Sequence, residues 1–321
     1  MRLLVTGASG FVGKSLCSEL FRQGHGLRAA SRSAIAEIYG FERVIVGAMD
    51  GVTDWSTAVS GVDAVIHLAA RVHVMGERAT DPLAEFRKIN VLCTLNLAGR
   101  AAAAGVKRFV FVSSVKVNGE STLPGQPFTE SDSPNPQDAY GLSKYEAELG
   151  LRQIAVESGM EVVIIRPPLV YGPGVKANFS AMMRWLRRGV PLPLGAIHNQ
   201  RSLVALDNLV DLIVTCLTHP AAANQTFLVS DGEDVSTTEL LRRMGQAMGL
   251  PARLVPVPVS WLKLAAALVG KPDVAQRLCG SLQVDIEKTR RLLGWTPPLS
   301  LDEGLRRAVA GGGLPRPAAT Q

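Results

Sequence analysis

A doubly wound α/β fold, with helices on both faces of a parallel sheet and a smaller α/β substrate-binding lobe beside it, is what this 321-residue sequence predicts. Three observations predict it. Short β-branched runs alternate with longer helical patterns through the first half, the mark of strand–helix–strand crossover units. Gly7, Gly10 and Gly13 follow the first of those runs directly and open a helical pattern. At about 150 residues per domain, the length leaves room for a second lobe.

Strands are predicted at Leu3–Thr6, Leu27–Ser31, Arg43–Val46, Ala64–Leu68, Phe109–Ser113 and Val162–Arg166. Their apolar character suits a sheet covered on both faces. Helices are predicted near Phe11–Gln23, Asp81–Ala104 and Ala139–Ser158, where apolar residues recur at spacings near three and four. Four prolines among polar residues from Pro124 to Pro136 leave no period, so this stretch reads as a loop over the carboxyl edge of the sheet. Pro167-Pro168 and Gly172-Pro173-Gly174 mark a second break. Residues 1–172, with a return at about 202–230, are therefore expected to form a dinucleotide-binding unit. Residues 173–201 and 231–310 are expected to form the substrate lobe, with ligands in the cleft between them. The Gly-, Pro- and Ala-rich stretch 311–321 reads as a flexible tail.

Composition narrows the classes. With 47% hydrophobic and 19% charged residues, neither a disordered chain nor a bare coiled coil fits. The net charge of +6 falls largely on scattered doublets such as Arg187-Arg188 and Arg242-Arg243, and only 5% of residues are aromatic, so no nucleic-acid partner is expected. Cys17, Cys93, Cys216 and Cys279 lack C-x-x-C spacing, which argues against a zinc site and a disulfide framework and for a reducing cytoplasm. The N-terminal apolar run is too short for a signal-peptide core. Trp261–Val269 is about half the length needed to span a bilayer. It is expected to be a buried helix, and no membrane partner is expected.

The glycine turn has a chemical reading. Glycines let backbone N–H groups approach a pyrophosphate, and the helix start at Phe11-Val12 adds favourable partial charge. Folds of this kind that prefer NAD offer a carboxylate about twenty residues further on for the ribose hydroxyls. Here no acidic residue lies between Glu19 and Glu37; the second strand ends in Ser31-Arg32, with Arg28 upstream. A guanidinium suits a 2′-phosphate. NADP(H) is therefore expected ahead of NAD, which stays possible.

Tyr140 and Lys144 stand four residues apart at the start of a helical pattern, on one face. Ser113-Ser114 lies upstream at the carboxyl edge. Moving a hydride at a carbinol carbon requires a proton to leave or reach the attached oxygen. A free phenol ionises near pH 10, and the Lys144 cation and an oxidised nicotinamide are expected to bring Tyr140 down. Tyr140 is then the acid/base, Ser114 holds the same substrate oxygen, and Lys144 also holds a cofactor ribose.

Thr6 to Gly13, His67-Leu68-Ala69-Ala70, Asn90, Ser113-Ser114, Tyr140 with Lys144, Arg166 to Pro173, and Leu293 to Pro297 together resemble, in order, the motifs of extended short-chain dehydrogenase/reductases of the nucleotide-sugar epimerase and dehydratase group. The resemblance implies a Rossmann-type sheet, Ala69 and Ala70 lining the cofactor, Asn90 supporting the nicotinamide side, and backbone from Pro167 to Val170 flanking the ring. His67 reads as a strand-end residue satisfied by backbone hydrogen bonds. Relatives that are 4,6-dehydratases resemble one another in an Asp-Glu pair after the Ser or Thr; here Val115-Lys116 follows Ser114, leaving epimerisation at C4 or reduction of a 4-keto sugar.

Arg32, and Ala48 where relatives often carry Asp, depart from a tight NAD grip. Ser113 to Glu120 with Tyr140 to Glu146 resembles bacterial enzymes of surface-polysaccharide (O-antigen) synthesis. Reduction of a UDP-4-keto-6-deoxy-N-acetylhexosamine is therefore placed ahead of UDP-glucose or UDP-N-acetylglucosamine 4-epimerisation with retained NAD. By the same resemblance Asn178 and Arg201 meet the substrate pyrophosphate, and Arg277 reaches a second phosphate or the uridine ribose. Lys116, His73 and Arg71 are candidate sugar contacts, and Phe179 reads as core. A homodimer through Asp81–Ala104 and Ala139–Ser158 is also implied.

Overall fold

Alternation within single strands sorts the apolar residues to two faces of a sheet, and that sorting builds the molecule. In the computed structural model, which describes residues 1–33, 40–72, 81–123, 125–175 and 177–311, the chain lays down β1 (Arg2–Thr6), β2 (Gly26–Ser31), β3 (Glu42–Ile45), β4 (Ala64–His67), β5 (Arg108–Val112) and β6 (Glu161–Arg166). It starts a second sheet with β7 (Leu169–Tyr171) and β8 (Arg201–Ala205), returns to the first as β9 (Thr226–Leu228), and ends in the second as β10 (Asp234–Val235). The first sheet has the order β3-β2-β1-β4-β5-β6-β9 with every pairing parallel. The second has the order β10-β8-β7.

The helices are α1 (Phe11–Arg22), α2 (Ser56–Val59), α3 (Pro82–Arg87), α4 (Thr94–Ala103), α5 (Ala139–Ser158), α6 (Ala177–Arg188), α7 (Leu206–Thr218), α8 (Thr237–Ala247), α9 (Val259–Leu268), α10 (Pro272–Cys279), α11 (Glu287–Leu293) and α12 (Leu301–Ala310). Leu3 and Val5 of β1 join Leu16 and Leu20 of α1 and Leu209 and Ile213 of α7 on one face of the large sheet. Leu4, between them in sequence, joins Leu97 of α4 and Ala147 and Leu151 of α5 on the other. Each such leucine contributes roughly 1.5–3 kcal/mol on burial. A third cluster, with Tyr171, Phe179, Leu186, Leu240, Leu241 and Leu305, binds α6, α8 and α12 to the small sheet and confirms Phe179 as core.

Two helices depart from expectation. The stretch 81–104 is not one regular helix, because Lys88–Cys93 forms a π turn between α3 and α4. A one-residue excess of this kind leaves no trace in apolar spacing. The run Trp261–Val269, expected to be buried, is α9, and none of α9 is buried. Among the described elements it packs chiefly on α10, since the lobe's apolar core is already filled from α6, α8 and α12.

One buried ion pair fastens the carboxyl edge. Arg166, at the end of β6, donates to both oxygens of Glu148 on α5 at 2.9 and 2.6 Å and to the Asn118 side-chain oxygen at 2.9 Å. Ser113 donates to the same carboxylate at 2.6 Å. Removing one member leaves the other charge buried and unmatched, at a cost of about 3–5 kcal/mol. We expect Arg166→Met to lose about that much stability in urea denaturation, and Glu148→Leu combined with Arg166→Met to recover most of it. Equal losses in the single and double variants would contradict this account.

Candidate active site

At the carboxyl ends of β1 and β4 the backbone is packed too closely for side chains. Gly7 sits at φ +72°, and a Cβ on it would lie 2.8 Å from the Ala69 nitrogen; one on Gly13 would lie 2.2 Å from the Gly7 carbonyl oxygen. Gly10 differs, since its Cβ would meet only that same oxygen, at 3.0 Å, and otherwise open space. Gly10 also begins α1 with no side-chain cap and no acidic residue in the first turn. A helix start with bare N–H groups, positive partial charge and a glycine that leaves room above it fits a dinucleotide pyrophosphate. Phe11, Val12 and Val170 are half-buried against the core beneath this turn, as are Ala69 and Ala70 beside it.

The turn is braced from below. Thr6 Oγ1 lies 2.7 Å from His67 Nδ1 and accepts from the Ala69 N–H at 3.2 Å, while His67 Nε2 lies 2.9 Å from Thr94 Oγ1. Hydroxyls, not the expected backbone groups, therefore satisfy His67. Burial, with the Lys144 charge adding to it, lowers the imidazole to about 3, so it stays neutral. The π turn carries the buried Asn90 inward, where it accepts from the Arg71 N–H at 2.8 Å and donates to the Arg71 carbonyl at 3.0 Å and to Ser143 at 3.0 Å. Asn90 thus ties the segment after β4 to α5.

Ser114, just after β5, accepts from the Lys116 N–H at 3.2 Å and starts a tight 3₁₀ turn. Asp138 caps α5 by accepting from the Gly141 N–H at 2.7 Å. The two turns touch: a Cβ on Gly141 would lie 2.8 Å from the Lys116 carbonyl oxygen. That approach brings the Tyr140 phenol near enough to Ser114 for the hydroxyl to favour its ionised form. Phe86 of α3 packs edge-on against the Tyr140 ring at 6.1 Å, and the Arg71 guanidinium lies 5.7 Å over Phe86. One helical turn further on, the buried Lys144 ammonium donates to the Val112 carbonyl at 2.9 Å and sits 4.4 Å over the Phe111 ring.

The electrostatics differ from expectation. Burial pushes Tyr140 up to about 12, the Asp138 charge adds to this, and only the Ser114 hydroxyl opposes it. Burial lowers Lys144 to about 7 against the pull of Glu148. The protein alone therefore does not acidify the phenol, because its lysine, stripped of water, holds a proton too weakly at neutral pH. The arrangement can still pass a proton between Tyr140 and an oxygen held by Ser114; a cationic ring beside it would favour the phenolate.

The remaining sequence-derived residues divide. Arg32 is exposed just beyond β2, where Ser31 bonds the Ser33 carbonyl at 2.8 Å. Arg28 turns away from the turn, donating to the carbonyls of Thr57, Ala58 and Ser60 and pairing with Glu42 at 2.9 Å. Pro167 is buried, and its carbonyl accepts from the Val115 N–H at 3.0 Å. Lys116 pairs with Asp138 and Glu120. Arg201 donates to the carbonyls of Arg277 at 2.8 Å and Gly280 at 3.1 Å, and burial lowers its pKa. The Arg277 side chain is exposed. His73 and the side chain of Asn178 lie outside the described residues. Sequence reasoning missed Phe86, Gly141 and Glu148; only Glu148, four residues beyond Lys144 on the same face, left a legible signal.

A bare glycine turn at the carboxyl edge of a parallel sheet, with serine, tyrosine and lysine around one point, defines a dinucleotide-dependent oxidoreductase of the short-chain type. Comparison with known proteins narrows the class. The family model described as the NAD dependent epimerase/dehydratase family matches residues 3–230. The chain is 50% identical over 311 residues to a UDP-glucose 4-epimerase of Vibrio cholerae, covering 96% of this chain and 94% of that protein. An Agrobacterium tumefaciens short-chain dehydrogenase/reductase superfamily protein with bound NAD superposes with a TM-score of 0.76 at 25% identity, covering 97% of each chain. A UDP-glucose 4-epimerase of Thermotoga maritima with UDP-glucose superposes with a TM-score of 0.77 at 24% identity, covering 97% of this chain and 98% of that one. The chain belongs to the NAD dependent epimerase/dehydratase family, and it is an NAD(P)-dependent enzyme of the extended short-chain dehydrogenase/reductase class.

Lys144 has a folded pKa depressed from 10.5 to about 7, so the folded state binds fewer protons than the unfolded between those values and stability rises with pH there. Between pH 7 and 9 we expect the protein without dinucleotide to gain about 2 kcal/mol from this group. Lys144→Met should flatten that slope in urea titrations; an unchanged slope would remove Lys144 as its source. Gly141→Ala should push α5 off the Lys116 carbonyl and lower kcat at least about tenfold, as a misplacement near 1 Å does, with the fold intact by circular dichroism.

Proposed function

We propose that this enzyme is a UDP-sugar 4-epimerase that keeps one NAD through each turnover. The nearness of the Tyr140 phenol to Ser114, with the buried Lys144 one helical turn on, carries the reading, since it puts one acid/base beside one hydroxyl that can hold the substrate oxygen. The Vibrio cholerae relative, named a UDP-glucose 4-epimerase, favours epimerisation over the reduction preferred from sequence. Bound NAD would supply the removal of two electrons and a hydrogen from sugar C4 and their return to the opposite face. Tyr140 takes the proton from O4 and gives it back, Ser114 holds O4 against the phenol, and Lys144 and Asn90 hold the nicotinamide side. Asn178, Arg201 and Arg277 anchor the nucleotide diphosphate while the sugar turns over in the lobe. Lys116, paired with Asp138 and Glu120, steadies the Ser114 turn and borders the sugar. A homodimer through Asp81–Ala104 and α5 belongs to this reading; Leu92 in the π turn and Leu149 and Val156 on α5 are exposed.

A second reading, an NADPH-linked 4-ketoreductase of UDP-4-keto-6-deoxy-N-acetylhexosamines, has Arg32 in its favour, because the guanidinium stands exposed beyond β2 with no acidic residue nearby in sequence. Chromatography of the dinucleotide released on denaturation separates the two. We expect stoichiometric NAD, and interconversion of gluco and galacto UDP-sugars with no net change at the nicotinamide absorbance. NADPH consumption on a 4-keto sugar without epimer interconversion would overturn the epimerase. Tyr140→Phe should lower kcat by about 10²–10⁴, and a variant as fast as the parent would remove the phenol from the mechanism.

A further inference from the structure

The helix that expectation buried is the most exposed apolar element among the described residues. Within α9, Val-Ser-Trp-Leu-Lys-Leu-Ala-Ala-Ala-Leu, only Ser260 and Lys263 are polar. Trp261 is 70% exposed, Leu264 62% and Leu268 80%, and Val269 and Val274 continue the patch toward and into α10. Shortly before α9 in sequence, residues 253–255 form a ladder with 192–195, where the Leu192 N–H donates to the Arg253 carbonyl and the Val255 N–H to the Leu192 carbonyl, both at 2.8 Å. Val190, Val255 and Trp185 are exposed around it, with the Arg188 guanidinium 5.4 Å over the Trp185 ring.

Charge is distributed just as unevenly. No acidic residue occurs from 167 to 206 or from 240 to 272. Lys263 within α9, Lys271 just after it, Arg253 shortly before it in sequence, and Arg188 at the end of α6 are exposed, and none pairs with a carboxylate among the described residues. An exposed apolar helix with unpaired cations on it and beside it in sequence calls for an occupant that is apolar inside and anionic outside.

We propose that the substrate lobe docks on an anionic lipid bilayer through α9 and its turn into α10. Trp261, Leu264, Leu268 and Val269 enter the boundary between headgroups and acyl chains, and Arg188, Arg253, Lys263 and Lys271 meet anionic headgroups. At about 1.5 Å per residue α9 is near 15 Å long, half a bilayer's hydrocarbon core, and no described helix is long and apolar enough to cross a membrane. The contact is peripheral. Charge favours lipid over a second copy of this chain. A two-fold contact would set these cations against their own copies, with Asp273 the one acidic residue in the sequence from 240 to 274. Trp261, Leu264, Ala265, Ala267 and Leu268 share one face of α9, about 160° wide at 3.6 residues per turn, the kind of apolar face an interfacial helix lays into the headgroup boundary.

The test uses the full chain and vesicles of phosphatidylcholine with or without phosphatidylglycerol. We expect sedimentation with the anionic vesicles, weak sedimentation with the neutral ones, and release at high salt. In a Trp185→Phe background, where Trp261 is the one exposed tryptophan beside the buried Trp55 and Trp295, total tryptophan emission should shift to the blue on binding, and Trp261→Phe should abolish the shift. Leu264→Ser with Leu268→Ser should lower the partition coefficient at least tenfold, as should Lys263→Glu with Lys271→Glu, each at the parent's melting temperature and catalytic rate. Failure of the parent to bind anionic vesicles overturns the proposal, as does binding that survives both double variants. A parent that self-associates without lipid, and loses this in Leu264→Ser/Leu268→Ser, would assign the patch to a second copy instead.

Discussion

Everything catalytic in this chain depends on how closely the start of α5 can approach the turn after β5. With no side chain at Gly141, the helix comes down on the Lys116 carbonyl, and the preceding residue is left with its phenol at the Ser114 hydroxyl. Glu148, two turns further along, draws the same helix against β5 and β6 through Ser113 and Arg166. Asn90 joins it from the opposite direction through Ser143. The helix is therefore held at three heights, and its catalytic end has little freedom to drift.

The electrostatic cost of that packing shapes the chemistry. Excluding water from Tyr140 and Lys144 moves them in opposite directions, the phenol up and the ammonium down, so that both prefer neutrality in the protein alone. Each ionises more readily when an opposite charge arrives. A positively charged ring stacked beside the phenol is such a charge, so the site's activation is tied to what occupies the cleft. His67 stands apart from this coupling; neutral and bridged by Thr6 and Thr94, it serves as a strut under the glycine turn.

Much of this was legible in the residues. Strand positions followed from short apolar runs, and six expected strands match β1 to β6 to within a residue or two, because strands buried on both faces carry a dense local signal. The glycine turn was legible because Gly7 and Gly13 answer to backbone contacts that sequence spacing encodes. The phenol–serine pair was legible as two motifs but not as a contact, since nothing local in 113–144 reports that Gly141 touches Lys116. The rise of Tyr140 in the protein without dinucleotide was not legible, because sequence supplies charges without their solvation. The exposure of α9 was misjudged for a related reason: hydropathy says that a segment prefers to leave water, not that the chain itself provides the cover.

The π turn at Lys88–Cys93 has a consequence for how one segment serves two purposes. A helix of uniform pitch keeps a single stripe facing one way along its whole length. The extra residue rotates that stripe partway, so that Phe86 before it borders the Tyr140 ring while Leu97, Ala98 and Ala101 after it lie flat on the sheet. A deliberate fault in the winding thus lets the chain wall a reaction cleft at one end and roof a core at the other without a loop between them, and it is at the fault itself that Asn90 finds its inward place.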